Sequence, residues 1–296
     1  MSERRARLGL ALRIAFGVLG IAFMVIAFRE TWNRSQEHAF PRWTAVVAAE
    51  VLVLAGLAGA SRGWVALFDG RGSDRALAQA FYTSQLGKYV PGAIWQAVGQ
   101  VGLSRSADVS LAQATTAFPV HALTQVAAGG TVGALLALLG VHLSVGVRLL
   151  AALGLLLVIP LRRAWMVWVL GVISRRLKRG SPEDVPSQGA ILRAYGWGVW
   201  TLVWSGAGFA VLAGSLHAAD PVVAAVPAFA AAWTVGFLAV PFPSGIGVRE
   251  AVLIATVASP TGAGPVIVAS LVHRLVTMLG ELVMIAFAKS RTTLAR

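Results

Sequence analysis

Two cations stand where an apolar chain breaks. Lys88 lies in Gly87-Lys88-Tyr89-Val90-Pro91-Gly92, and Arg249 follows the run Pro241-Phe242-Pro243-Ser244-Gly245-Ile246-Gly247. A helix that restarts after such a break presents free N–H groups and the positive end of its dipole. That is an anion site before any side chain is counted, and each cation adds to it. Two such sites, approached from opposite sides of a bilayer, suit a phosphate headgroup. The plainer alternative is that Lys88 snorkels to the interface and the prolines only turn the chain. Further on, Ser270, Arg274, Thr277 and Glu281 share one helical stripe by their three-, four- and seven-residue spacings. Arg274 and Glu281 are two turns apart, so each is expected to meet a partner on another segment: Glu250 for Arg274, Arg249 for Glu281. Buried pairs of this kind serve a ligand or lock two segments together, and the two roles are compatible.

Three other groups carry protons. Glu50 stands alone in an apolar run, His121 falls one turn from Gln125 beside Pro119, and His273 precedes Arg274. With Glu281 they are candidates for proton coupling or buried pairing, against the plain alternative of a hydrogen bond to a neighbouring helix. No Asp or Glu stands at ligand spacing with the histidines and no His-Glu-x-x-His pattern occurs, so no metal is expected. A Walker loop, a dinucleotide fingerprint and a Ser-His-Asp set are all missing, so neither a cofactor nor an enzymatic activity is expected. There are no cysteines, which excludes thiol chemistry.

These residues must be positioned by a membrane. Of 296 residues 57% are hydrophobic and 12% charged, about half the charge of a soluble domain. Spanning segments are expected at 9–28, 43–61, 111–140, 145–161, 191–213 and 265–288, with a stretch at 164–173 lying along the interface. Residues 76–104 and 222–258 are apolar but broken. With the N-terminus inside, 18 Lys and Arg fall on the cytoplasmic side and 4 outside, a strong positive-inside bias. The net charge of +13 therefore reads as topology, and nucleic acid is rejected as a partner. No cleavage site follows the first apolar run, so no signal peptide is expected. The expectation is a multi-pass protein of a bacterial inner membrane with both termini cytoplasmic.

That topology closes only if both broken segments are re-entrant, 76–104 from the cytoplasm and 222–258 from outside. Each half, 1–143 and 144–296, then reads span, span, re-entrant hairpin, span. The expected fold is thus all-α, an inverted repeat of about six full spans plus two hairpins. The rival reading makes 222–240 a full span, and leaves 247–258 too short to cross.

At the two breaks the sequence resembles the lysylphosphatidylglycerol synthase transmembrane-region family, whose members are flippase-like. Gly87-Lys88-Tyr89-Val90-Pro91-Gly92 with Trp95 and Gly99 is similar to its first signature. Pro243-Ser244-Gly245-Ile246-Gly247-Val248-Arg249-Glu250 with Arg274 downstream is similar to its second. The likeness implies lipid translocation, with Lys88, Arg249, Glu250 and Arg274 at matching positions and Tyr89, Gly92, Trp95, Gly245 and Gly247 around the headgroup. Gln100 departs from the pattern, because relatives often carry Arg there, and no soluble aminoacyl-transfer domain is expected. The cargo is expected to be an anionic phospholipid or its aminoacyl derivative. The alternatives are a polyprenyl-phosphate-linked sugar and a non-transporting partner of a lipid-modifying synthase or glycosyltransferase. Membrane lipids are the expected partners, and the sequence leaves headgroup, direction, energy source and oligomeric state open.

Overall fold

The computed structural model describes residues 40–89, 94–139, 144–177, 184–219, 222–239, 245, 247–258 and 262–293. The expected span at 9–28 and the prolines and Gly92 of the two breaks lie outside the described residues. Among the described residues all regular structure is helical. In chain order the helices are α1 (Trp43–Ala66), α2 (Asp74–Gln85), α3 (Ile94–Ser104), α4 (Leu111–Ala134), α5 (Val145–Leu153), α6 (Arg163–Leu177), α7 (Gln188–Ser215), α8 (Ala225–Leu238), α9 (Val248–Val257) and α10 (Ala263–Thr293).

Three of them, α1, α7 and α10 over Ala263–Ser290, are long and apolar enough to cross a membrane. The helix α4 has the length, 24 residues, but carries Gln113, Thr115, Thr116, His121, Thr124 and Gln125, which lower its hydropathy. The span expected at 145–161 is not one straight helix. It winds as α5, tightens to a 3-10 helix over Gly154–Leu161, and turns by 78° into α6 at Arg162. Gly154 is pinned there, since a Cβ on it would lie 2.7 Å from the Gly130 carbonyl oxygen. Pro160 adds a missing N–H in the same stretch. The Trp165 and Trp168 rings of α6 are exposed.

The backbone of the molecule is the antiparallel crossing of α1 on α7. Small residues let the two approach: Gly56, Gly59 and Gly63 of α1 face Ser205, Trp200 and Ala194, and Gly208 of α7 faces the Ala49 backbone. Gly129 and Gly206 make further close contacts of this kind, with Thr234 and Val226 of α8.

Both broken segments fold back on themselves. The arms α2 and α3 lie against each other, and Ser73 N donates to Ala107 O at 3.0 Å, so the chain leaves where it came in. The arms α8 and α9 do the same, with an isolated antiparallel bridge joining Ala219 to Ala258. The helix in 222–240 is only Ala225–Leu238, 14 residues, shorter than the three helices long enough to cross a membrane, and α9 packs back against it.

At one end, the α1–α7 pair is latched by Asp69. Its carboxylate accepts from Ser187 N (2.9 Å), Ser187 Oγ (2.7 Å) and Arg193 Nη2 (3.2 Å), while Ser187 Oγ caps α7 through Ala190 N. Burial pushes the Asp69 carboxyl up, but the two Ser187 bonds and Arg193 outweigh it and hold it below its ordinary value. The latch is therefore complete above the ordinary aspartate value of about 3.9 and is lost as pH falls through the lowered one. The protection factors of the amides of 187–191, taken relative to the intrinsic exchange rate at each pH, should fall in acid, and in Asp69→Asn at neutral pH, with the rest of α7 unchanged. Equal protection in Asp69→Asn would show that the latch does nothing.

Candidate functional site

The site is built on α10, because that helix receives the tip of each hairpin. Glu250 sits in the first turn of α9. Its Oε2 accepts from Gly247 N at 2.8 Å, which satisfies one of the free donors at the helix start. Its Oε1 accepts from Ser270 Oγ at 2.8 Å and from Arg274 Nε and Nη2 at 3.2 and 3.0 Å. Both partners lie on α10, one turn apart, and both charges are largely buried. The expected Glu250–Arg274 pair is thus in place, with Ser270 added.

Two turns along α10, Glu281 forms an ion pair with Lys88 from the first hairpin. Its side chain is 1% exposed and that of Lys88 28%, so the lysine reaches inward to the carboxylate rather than outward to an interface. Sequence reasoning paired Glu281 with Arg249; the lysine partner was not foreseen, because nothing in the spacing says which hairpin tip lands at which turn. Thr277, between the two pairs, donates to its own helix at His273 O.

Arg249 stands beside Glu250 at the start of α9. Its guanidinium lies 5.1 Å from the Phe229 ring centroid, and its stem crosses α8 at Gly236, where a Cβ would come within 2.5 Å of Arg249 Cγ. Gly245 is needed for its φ of +65° and for the Gly236 backbone 2.7 Å from where its Cβ would be; Gly247 is needed for its φ of +83°. These two glycines therefore build the turn that aims Arg249 and Glu250. At the first tip, Gly87 is pressed against the backbone of Trp95 and Gln96. The backbone of Tyr89 ends the 3-10 turn there, whereas Gly92 lies outside the described residues.

The histidines sit in matching surroundings. His121 of α4 lies edge-on between Trp64 of α1 and Phe81 of α2. His273 of α10 lies against Phe209 of α7 and Phe229 of α8, with Nε2 2.9 Å from Ser205 O. Glu50 is not joined to either ion pair: both its oxygens are buried without a hydrogen-bond partner among the described residues, and Oε1 lies 3.2 Å from where a Cβ on Gly280 of α10 would be. Among the described residues no three of His, Asp or Glu are grouped to hold a metal.

The arrangement brings two cations from separate hairpins to one helix, Lys88 in its ion pair with Glu281 and Arg249 over the Phe229 ring beside the Glu250–Arg274 pair. No family model, no curated protein and no solved structure matches the chain. The likeness noted at the two motifs is carried by those residues alone.

Proposed function

We propose that this chain moves an anionic lipid between the leaflets of a bacterial inner membrane, with both termini in the cytoplasm. The observation that carries the reading is the meeting of both hairpin tips on α10, Glu250 with Arg274 and Lys88 with Glu281 two turns apart. A phosphate in hydrocarbon is prohibitively costly unless cations and aligned N–H groups replace its water. Lys88 and Arg249, each beside a helix restart, are such replacements. Glu281 then holds Lys88 between passages, and the lipid phosphate takes its place as it goes through.

The inverted repeat belongs to the same proposal. Exchanging α1 with α7, α2 with α8, α3 with α9 and α4 with α10 maps the contacts of one half onto the other. Thus α4 lies on α7 and α8, as α10 lies on α1 and α2. His121 between Trp64 and Phe81 maps onto His273 between Phe209 and Phe229. The antiparallel crossing of α1 and α7 fits a two-fold axis in the membrane plane, with one re-entrant hairpin from each side.

Leaflet exchange of a fluorescent anionic phospholipid in vesicles tests the reading. Folded Arg249→Ala should slow exchange at least about tenfold, the loss of one charge-assisted hydrogen bond. Arg249→Lys should be intermediate, because lysine lacks the planar fork that grips two phosphate oxygens. A folded Arg249→Ala protein that exchanges lipid at the wild-type rate would remove translocation through this site.

A further inference from the structure

Beside Lys88 lies a second set of polar groups that the phosphate site does not use. Gln85, Gln100, Gln125, Trp64 and His121 are all more than nine-tenths buried, Gln100 and Trp64 completely. Yet among the described residues Gln85 Nε2, both amide atoms of Gln100, both of Gln125, Trp64 Nε1 and His121 Nδ1 have no hydrogen-bond partner. Native interiors rarely leave such groups unmet, and seven such atoms in one half of a protein call for an occupant.

Gln85 and Gln100 stand on the two arms of the first hairpin. Gln85 is one turn before Lys88 and accepts from Gln96 Nε2 at 3.2 Å; Gln100 is one turn further along α3. Phe81, one turn before Gln85, touches His121, which touches Trp64 and stands one turn before Gln125. The chemistry is uniform. Amides donate and accept, indole donates, imidazole does either, and none of the five is a carboxylate or a fixed cation. An ammonium would want carboxylates, whereas a hydroxyl donates and accepts and matches this set.

We infer that the translocated lipid carries a hydroxyl-rich headgroup, glycerol, inositol or a sugar, held by Gln85, Gln100, Gln125, Trp64 and His121 while Lys88 takes its phosphate. This rests on the translocation reading above and adds the substrate class. It argues against an aminoacyl cargo, whose headgroup ends in a cation.

The test is lipid retention by the full-length protein, read by native mass spectrometry from detergent. The glycerophospholipids share acyl chains: phosphatidylcholine, phosphatidic acid, phosphatidylglycerol and phosphatidylinositol. A second arm compares polyprenyl phosphate with polyprenyl-phosphate hexose. Wild type should retain a hydroxyl-bearing lipid roughly tenfold or more over the bare phosphate with the same tail, the worth of one satisfied buried hydrogen bond. Preference in the glycerophospholipid arm assigns that source, and preference in the polyprenyl arm assigns the sugar carrier. Gln100→Leu and Gln125→Leu should each erase the preference and leave phosphatidic acid retention unchanged. Equal retention of bare and hydroxylated lipids by wild type overturns the inference, with internal water then filling the site, even if both leucine variants misfold. Failure to retain phosphatidic acid over phosphatidylcholine is a different result, since it removes the phosphate site itself.

Discussion

Glu250→Ala should lower the melting temperature in detergent by roughly 10 °C, the largest single effect expected of any side chain outside the apolar core. One carboxylate closes three contacts: the first free N–H of α9, the Ser270 hydroxyl and the Arg274 guanidinium. Its removal costs a helix cap worth about 1 kcal/mol. It also leaves Arg274 buried without this counter-charge, and breaking one side of a buried pair typically costs about 3–5 kcal/mol. Against a total stability of about 5–15 kcal/mol, that detaches the second hairpin from α10. The same reasoning fixes the control. Glu250→Gln with Arg274→Met removes both charges together, keeps an amide oxygen to accept from Gly247 N, turns an amide N–H toward the Ser270 hydroxyl, which can accept it, and should recover most of the loss. A Glu250→Ala protein that melts with the wild type, and protects the amides of 247–257 from exchange equally, would show that the hairpin is held by its apolar contacts alone.

How far the sequence reaches differs from residue to residue. The two helical hairpins are legible because proline and glycine in an apolar run are strong punctuation. Of the 25 Lys and Arg, the expected topology assigns 18 to one side and 4 to the other, and leaves Lys88, Arg249 and Arg274 at the broken segments and in the last span. The pairing of Arg274 with Glu250 is legible too, since a lone Arg and a lone Glu in neighbouring spans have few other choices. The pairing of Glu281 with Lys88 is not, because it depends on how deep each hairpin reaches along α10. Nor is the corner at Arg162, which depends on Gly154 meeting Gly130 across two helices. The amide cluster is the least legible of all. Gln85, Gln100 and Gln125 read as ordinary polar residues in sequence, and their unmet hydrogen bonds exist only once burial is known. The one hint was Gln100 itself, standing where the resemblance puts an arginine.

The Lys88–Glu281 pair separates folding from transport. Lys88→Ala alone should destabilise strongly, again by about 3–5 kcal/mol, because it takes the lysine from a Glu281 side chain that is 1% exposed. A transport defect in that variant would mean little. Adding Glu281→Gln removes the charge that lost its partner, so the double variant should regain most of the lost stability. If the pair is only a strut between the first hairpin and α10, the double variant should exchange lipid as fast as wild type. If Lys88 receives the phosphate, the double variant should stay folded and still exchange lipid at least about tenfold more slowly. Glu281→Gln alone divides the two roles further. It leaves Lys88 charged and free of that carboxylate, so phosphatidic acid should bind more tightly to it than to wild type, with no competitor to displace. Turnover need not follow binding, because a phosphate that meets no competitor also leaves slowly. Tighter binding with unchanged or slower exchange is the signature of a carboxylate that stands in for the substrate. Unchanged binding in Glu281→Gln, with wild-type exchange in the folded double variant, would reduce the pair to a strut.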